Sequence, residues 1–238
     1  MRKWLKYILL PLIPIIIGLL YGFAQSKHNA RRIQTMTINF VGEDTGMTTK
    51  EAVSNLLIQN TGDPLNQLNS TINLHAIEDQ VKKNPMVKNA EIYLSPKGQL
   101  FIDIKQKKPI ARLTTKKGHQ YMDENGKLMP VSPYHSARVM LLEGVNTSIE
   151  QEAAFKIIDY IKHDDFYAKQ VVGIKRLNNG DFLIDTRIGR HQILFGKAEN
   201  IDVKFNKLKI FYKRMWHEDQ LKKYKLLNIK YNKQVVCS

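Results

Sequence analysis

Between Lys6 and Lys27 the chain runs for twenty residues, Tyr7–Ser26, without a charged side chain, and Ile8–Gly22 is almost wholly apolar. At ~1.5 Å per residue such a helix spans about 30 Å, the hydrocarbon thickness of a bilayer. A transmembrane helix is therefore expected over residues 7–26, after a cytoplasmic tail of residues 1–6. Arg2, Lys3 and Lys6 precede the run, and this excess of positive charge keeps the N-terminus in the cytoplasm. Everything beyond about residue 25 would then be exported. Lys27, Arg31 and Arg32 on the far side oppose that orientation, but no other segment of the chain could span. A cleaved signal peptide is the alternative, with small residues at Gly22-Phe23-Ala24. The run is long for an h-region of about 7–15 residues, which favours the uncleaved anchor. Pro11 and Pro14 would bend a soluble helix but are tolerated within a membrane.

An exported chain often relies on disulfides, and this one has a single cysteine, Cys237. No intrachain bridge and no cysteine-based metal cage can form, and no cysteine follows the apolar run to carry a lipid anchor. The exported part must be held by hydrophobic cores. The chain has 238 residues, 43% hydrophobic and 25% charged, which excludes wholesale disorder and a polytopic membrane protein. The net charge is +15, and +6 of it lies in residues 1–32, beside anionic lipid headgroups. The remaining +9 is spread along the chain without a basic–aromatic stacking pattern, so nucleic acid is not an expected partner.

Residues 33–107 read as a small domain. Met36, Ile38 and Phe40 alternate with polar residues in a first strand. Thr48-Thr49-Lys50-Glu51 is expected to form a capping box, with Ala52, Val53, Leu56 and Leu57 on the buried face of the helix that follows. Thr61-Gly62-Asp63-Pro64 breaks that helix. A second carries Leu74, Ile77 and Val81 and stops at Asn84-Pro85. Ala90, Ile92 and Leu94 alternate, Ser95-Pro96-Lys97-Gly98 turns the chain, and Leu100, Ile102 and Ile104 alternate again. Ala90, Ile92, Leu100 and Ile102 are expected to face the helices. The order is β-α-α-β-β.

Residues 108–238 read as a second, mostly antiparallel β domain with flanking helices, making the whole chain α+β. Gln120–Pro130 reads as a strand, an Asn-Gly turn at Asn125-Gly126 and a strand. Thr147–Gln151 caps a helix bearing Ala154, Ile157, Ile158 and Ile161. Val171–Leu177 and Asp181–Asp185 form a hairpin, and His191–Phe195 continues the sheet. A long helix from near Asn200 carries Phe205, Leu208, Tyr212 and Met215. Leu227, Ile229, Tyr231 and Val235 alternate with polar residues in what reads as one closing strand, Leu227–Val236.

The β-α-α-β-β order after a single anchor resembles a POTRA domain, and the local wording resembles the FtsQ/DivIB family of bacterial cell-division proteins. Asn84-Pro85-Met86-Val87-Lys88-Asn89-Ala90-Glu91-Ile92 is similar to the family's P-x-V-x-x-A-x-V entry to the POTRA hairpin. Ile104-Lys105-Gln106-Lys107-Lys108-Pro109-Ile110-Ala111 is similar to its I-x-E-R-x-P-V-A exit, with Gln106 and Lys107 standing where the family has Glu and Arg. Gln120–Pro130 resembles the I-D-x-x-G-x-L/V signature. Arg138–Gly144 resembles L-P-x-L-x-G without its proline. The closing strand resembles I-D-L-R-Y-x-N-G, with Asn228 and Lys230 as substitutions and Tyr231 as a match.

The resemblance implies a non-catalytic scaffold at the division septum, single-pass in the cytoplasmic (inner) membrane. It would recruit and regulate septal cell-wall synthesis by binding FtsB/DivIC-like and FtsL-like single-pass proteins, other divisome proteins and membrane lipid. No cofactor, metal or small-molecule substrate is expected. The chain lacks a G-x-S-x-G elbow, a Walker A loop, an H-E-x-x-H pair and the serine–lysine spacing of penicillin-binding enzymes. Its seven histidines are scattered. Asp164-Asp165 reads as a solvated corner, Gly189-Arg190-His191 as a turn, Cys237 as incidental, and Trp216 and Tyr212 as packing residues. An enzyme acting on wall polymer would have to draw on Glu143, Asp164 and Asp181, which fit no catalytic spacing. A POTRA-type assembly or secretion factor would carry several repeats or a barrel.

Family resemblance and physics both place the partner site on the last strand, at Leu227, Ile229, Lys230, Tyr231, Gln234, Val235 and Val236. With no later strand to cover it, its N–H and C=O groups would accept a partner strand, and Lys230 would meet a partner carboxylate. Replacing Val236 by proline would remove a ladder N–H, provided that N–H faces outward. Tyr231 is either an interface anchor or a core residue. A second partner site is expected at Phe101 and Lys105, on the open face of the last POTRA strand. The long helix through Lys204, Lys207 and Lys209 is a further candidate.

Overall fold

The computed structural model describes residues 14–22, 32–65, 67–115, 118–189, 191–217, 223–231 and 234–238. Residues 14–22 are helical, and among the described residues no helix is long and apolar enough to cross a membrane. The cytoplasmic tail, both ends of the expected anchor, Arg190, Asn232 and the Trp216 side chain lie outside the described residues. The chain divides into two compact units, Met1–Gln106 and Lys107–Ser238.

The first unit contains β1 (Thr35–Phe40), α1 (Lys50–Thr61), α2 (Leu74–Lys82), β2 (Val87–Leu94) and β3 (Gln99–Gln106). The three strands lie in the order β1-β3-β2, with β3 parallel to β1 and antiparallel to β2. Alternation sends Leu100, Ile102 and Ile104 of β3 to one face, where they are fully buried with Val53 and Leu57 of α1 and Ile77 and Val81 of α2. Ala90 joins them, while Ile92 is only partly buried against the same core.

The cap of α1 falls one residue later than expected. Thr49 takes the cap position and accepts from the Ala52 N–H at 3.1 Å. The preceding segment is held instead by Gln106 at the end of β3. Its Oε1 accepts from Thr45 Oγ1 at 2.7 Å and Met47 N at 3.0 Å, and its Nε2 donates to Asp44 Oδ1 at 3.1 Å.

The second unit contains β4 (Pro109–Thr115), β5 (Gly118–Asp123), β6 (Leu128–Pro130), β7 (Met140–Glu143), α3 (Ser148–His163), α4 (Asp165–Gln170), β8 (Val171–Arg176), β9 (Phe182–Thr186), β10 (Gln192–Gly196), α5 (Ile201–His217), β11 (Leu226–Asn228) and β12 (Val236–Cys237). They form one nine-stranded sheet in the order β12-β11-β10-β9-β8-β7-β4-β5-β6. Hairpins supply the antiparallel joins. The helical connections α3–α4 and α5 produce parallel joins at β7–β8 and β10–β11, and β4–β7 is parallel as well. The sheet is thus mostly antiparallel, as expected, with three parallel joins, two of them made because a crossover through a helix returns the chain in its original direction.

Thr147 and Glu150 form the expected capping box at the start of α3. Ala154, Ile157, Ile158 and Ile161 of α3 share one core with Phe205 and Leu208 of α5 and with Leu113, Leu142, Ile174, Ile184 and Ile193 of the sheet. Tyr160 stacks on Phe205 with ring centroids 4.6 Å apart, and the Tyr167 hydroxyl donates to the Phe205 carbonyl at 2.7 Å.

Candidate functional site

The C-terminal end of the sheet departs from the single closing strand read from the sequence. β11 spans only Leu226–Asn228 and runs parallel to β10, with Ile193 paired to Leu227 and Leu194 to Asn228. The Ile229 N–H continues the pairing by donating to Leu194 O at 3.0 Å. Leu227 and Ile229 are fully buried. There the alternation ends. The Lys230 N–H turns back to Asn228 Oδ1 at 3.1 Å, and the Lys207 ammonium from α5 donates to the carbonyls of Ile229, at 2.9 Å, and Tyr231. Burial holds the Lys207 ammonium below the usual lysine range.

The turn leaves Tyr231 in solvent, 54% exposed, so it is not a core residue. Gln234 is exposed and Val235 is half-buried against the core. Lys230 is not free for a partner carboxylate. Its ammonium lies 2.6 Å from Asp181 Oδ2, a side chain only 6% exposed. Gly196, at φ +81, lies beneath it, and a Cβ there would come within 2.7 Å of Lys230 Cγ.

The chain then returns as β12, antiparallel to β11. Leu226 and Ser238 exchange both backbone hydrogen bonds, each at 3.0 Å. In an antiparallel ladder the mutually bonded pairs recur every second residue. The next such pair is Asn228 and Val236, so the Val236 N–H faces β11. The outward N–H belongs to Cys237, paired opposite Leu227. The condition attached to Val236 therefore fails, and the outward edge must be tested one residue later. Cys237 is half-buried and burial raises its thiol pKa, which leaves it a weak nucleophile. Among the described residues no strand lies on the outer side of β12, so the described sheet ends in an open edge with the Val236 side chain, 43% exposed, on that strand.

In the first unit, β3 is the central strand, so it offers a face and no edge. Phe101, half-exposed on that face, stacks on Tyr93 with centroids 5.2 Å apart. Tyr93 Oη donates to Asp103 Oδ2 at 3.2 Å and Asn39 Nδ2 to Asp103 Oδ1 at 2.9 Å. Lys105 is exposed on the same face.

The three lysines of α5 do not make an open basic surface. Lys204 is buried, donates to Lys197 O at 2.8 Å and lies 4.7 Å from the Phe195 ring centroid. Lys207 caps the turn after β11. Lys209 donates to Asp164 Oδ2 at 2.7 Å. Asp164 caps α4 by accepting from Phe166 N at 2.9 Å. Burial raises its pKa, but the Lys209 ammonium and the capping N–H groups outweigh burial and hold it below the usual carboxylate range. With Asp181 paired to Lys230 and Glu143 lying 3.8 Å from Lys175, each of the three carboxylates already has a cation. Among the described residues no group of three or more His, Cys, Asp and Glu could hold a metal.

The first unit, with two helices on a three-stranded sheet, is of the POTRA class, and residues 34–105 match the family described as POTRA-like domain. Residues 108–238, more than half of the chain, match the family described as FtsQ/DivIB, C-terminal related. The chain belongs to the FtsQ/DivIB family, whose members are membrane-anchored, non-enzymatic cell-division proteins with an extracytoplasmic domain. Among solved structures it is similar to the major extracytoplasmic domain of the trans isomer of the bacterial cell division protein DivIB from Geobacillus stearothermophilus. The identity is 10%, covering 48% of this chain and 96% of that one, with a TM-score of 0.32. No curated protein matches the chain in sequence.

Proposed function

We propose that this protein is a single-pass, non-catalytic scaffold of the division septum. It recruits and regulates septal wall synthesis by binding FtsB/DivIC-like and FtsL-like partners. The observation that carries this reading is the edge at β12, unpaired among the described residues, together with the exposure of Tyr231 and Val236. An extended partner segment adds to β12 by backbone hydrogen bonds, and the exposed aromatic gives it an anchor. Leu227, Ile229 and Val235 support the edge from within, Lys230 fixes the turn through Asp181, and Gln234 lies in the connection. The Phe101–Lys105 face of the first unit is a secondary contact.

The test is partner affinity of the full chain carrying Cys237→Pro, which removes the outward N–H. Binding to an FtsB/DivIC-type and FtsL-type pair weakens at least tenfold, about 1.4 kcal/mol, with the protein still folded. Unchanged affinity in a folded Cys237→Pro protein moves the partner site away from this edge.

A further inference from the structure

The second unit has a cleft away from β12, opening where three adjacent strands, β4, β7 and β8, begin side by side in the same direction. Three strands, β9 to β11, separate it from β12. It encloses about 610 Å³, within the range of roughly 300–1,000 Å³ that holds small ligands or a short peptide segment. Its floor includes Ile110, Met140 and Val171, the apolar residues at the three strand starts. Arg138 precedes β7, Lys162 lies in the last turn of α3, Arg187 follows β9, and Lys108 precedes β4.

Among the described residues lining the cleft, four are basic and none is acidic. Arg138 and Arg187 are exposed and Lys162 is half-exposed. Among the described residues, none of these three side chains has a carboxylate partner. Elsewhere in this unit Lys209, Lys230, Arg176 and Lys175 each lie against a carboxylate. Cations left uncompensated around one concavity attract an anion. A bare inorganic anion makes no use of the isoleucine, methionine and valine beneath it. A ligand that carries carboxylates and aliphatic groups together engages both.

We propose that this cleft binds an acidic, aliphatic segment of a partner protein. Its carboxylates meet Arg138, Lys162 and Arg187, and its aliphatic side chains cover Ile110, Met140 and Val171. The site is independent of strand addition at β12.

The probe is a fluorescein-labelled peptide of alternating Glu and Leu, titrated against the full chain in detergent and followed by anisotropy. Saturable binding is expected, weakening as salt is raised. It is expected to be at least tenfold weaker for Arg138→Glu/Arg187→Glu at an unchanged melting temperature, and for a peptide with Gln in place of Glu. Cys237→Pro is expected to bind the probe normally, which separates this site from the edge. Should the double variant fail to fold, the single variants Arg138→Gln and Arg187→Gln, each losing at least threefold, carry the test. Equal affinity in the folded variants, or equal binding of the Gln peptide, overturns the proposal. So does arginine-dependent binding of inorganic pyrophosphate or phosphatidylglycerol vesicles without binding of the Glu peptide, because it assigns the cleft to phosphate groups instead.

Discussion

The Lys230 ammonium donates to the Asp181 carboxylate at 2.6 Å, tying the turn after β11 to the start of β9. Asp181 Oδ2 also accepts from Asn179 Nδ2 at 3.0 Å and is almost fully buried. Removing its cation leaves a desolvated carboxylate short of a partner. Lys230→Ala is expected to cost about 1–3 kcal/mol in denaturant unfolding. Adding Asp181→Asn is expected to recover part of that loss, since the uncompensated charge goes with it. Additive losses in the double variant would show that the two residues act separately.

Tyr231→Ala separates the two roles that the sequence left open for this side chain. Its exposure means that truncation removes little buried area, so stability changes by less than about 0.5 kcal/mol. Partner affinity falls if the exposed ring is the anchor. Calorimetry of the free protein beside a binding titration reads both.

Gln106 needs both the donor and the acceptor of its amide. Its Nε2 donates to the Asp44 carboxylate while Oε1 accepts from Thr45 and Met47. Gln106→Glu loses the donor and sets a second carboxylate beside Asp44. A loss of about 1–3 kcal/mol is expected at neutral pH. Because the new carboxyl has its pKa raised in the fold, its destabilising charge is neutralised on acidification. The gap from the parent protein narrows as pH falls below about 5, read from melting temperatures between pH 4 and 8.

His191 is buried, its Nε2 is 2.5 Å from Tyr212 Oη, and its Nδ1 has no hydrogen-bond partner among the described residues. Burial lowers its pKa from 6.5. The unfolded chain therefore takes up a proton first as pH falls. The contribution of neutral His191 is intact above about 6.5 and declines below it, with a slope of up to about 1.4 kcal/mol per pH unit. His191→Phe is expected to flatten the stability profile between pH 7 and 5, whatever its effect on stability at pH 7. An unchanged slope would assign the pH dependence to other groups.

Ile102 and Ile92 stand opposite each other across the β2–β3 pair, yet only Ile102 is fully buried. Ile102→Ala is expected to cost about 2–5 kcal/mol by leaving a cavity. Ile92→Ala, which removes half-buried atoms, costs roughly 1–2 kcal/mol. Thermal unfolding of the two variants should rank them in that order.

The first unit was legible in the sequence because its information is local. Apolar periodicity, Gly62, Asn84-Pro85 and the turn at Ser95–Gly98 mark its elements within a few residues of each boundary. The C-terminal strand was not, because the signals that end it come from far along the chain. Lys207, over twenty residues upstream, holds the carbonyls of Ile229 and Tyr231, and Asp181, nearly fifty upstream, holds Lys230. Leu227, Ile229 and Tyr231 keep strand spacing on paper, and only these long-range contacts turn Tyr231 out. The roles of Cys237 and Ser238 in the edge had no signal beyond their position. The cleft cations were equally silent, since Lys108, Arg138, Lys162 and Arg187 meet only when three distant strand starts align.

The parallel joins at the middle of the large sheet impose an order on folding. β4 and β5, or β8 and β9, can pair as soon as a short turn closes, on a timescale of about 1–10 μs. β4 meets β7 only across an intervening hairpin, and β7 meets β8 only after α3 and α4 have docked. Each join requires closure of a loop of some twenty to thirty residues before any reward is gained, which makes it the slow step. Until then β4 and β8 each present an unpaired side, at a stage when the chain has no disulfide to hold it. The newly made chain therefore passes through an interval in which its sticky edges are the central strands that the finished protein hides.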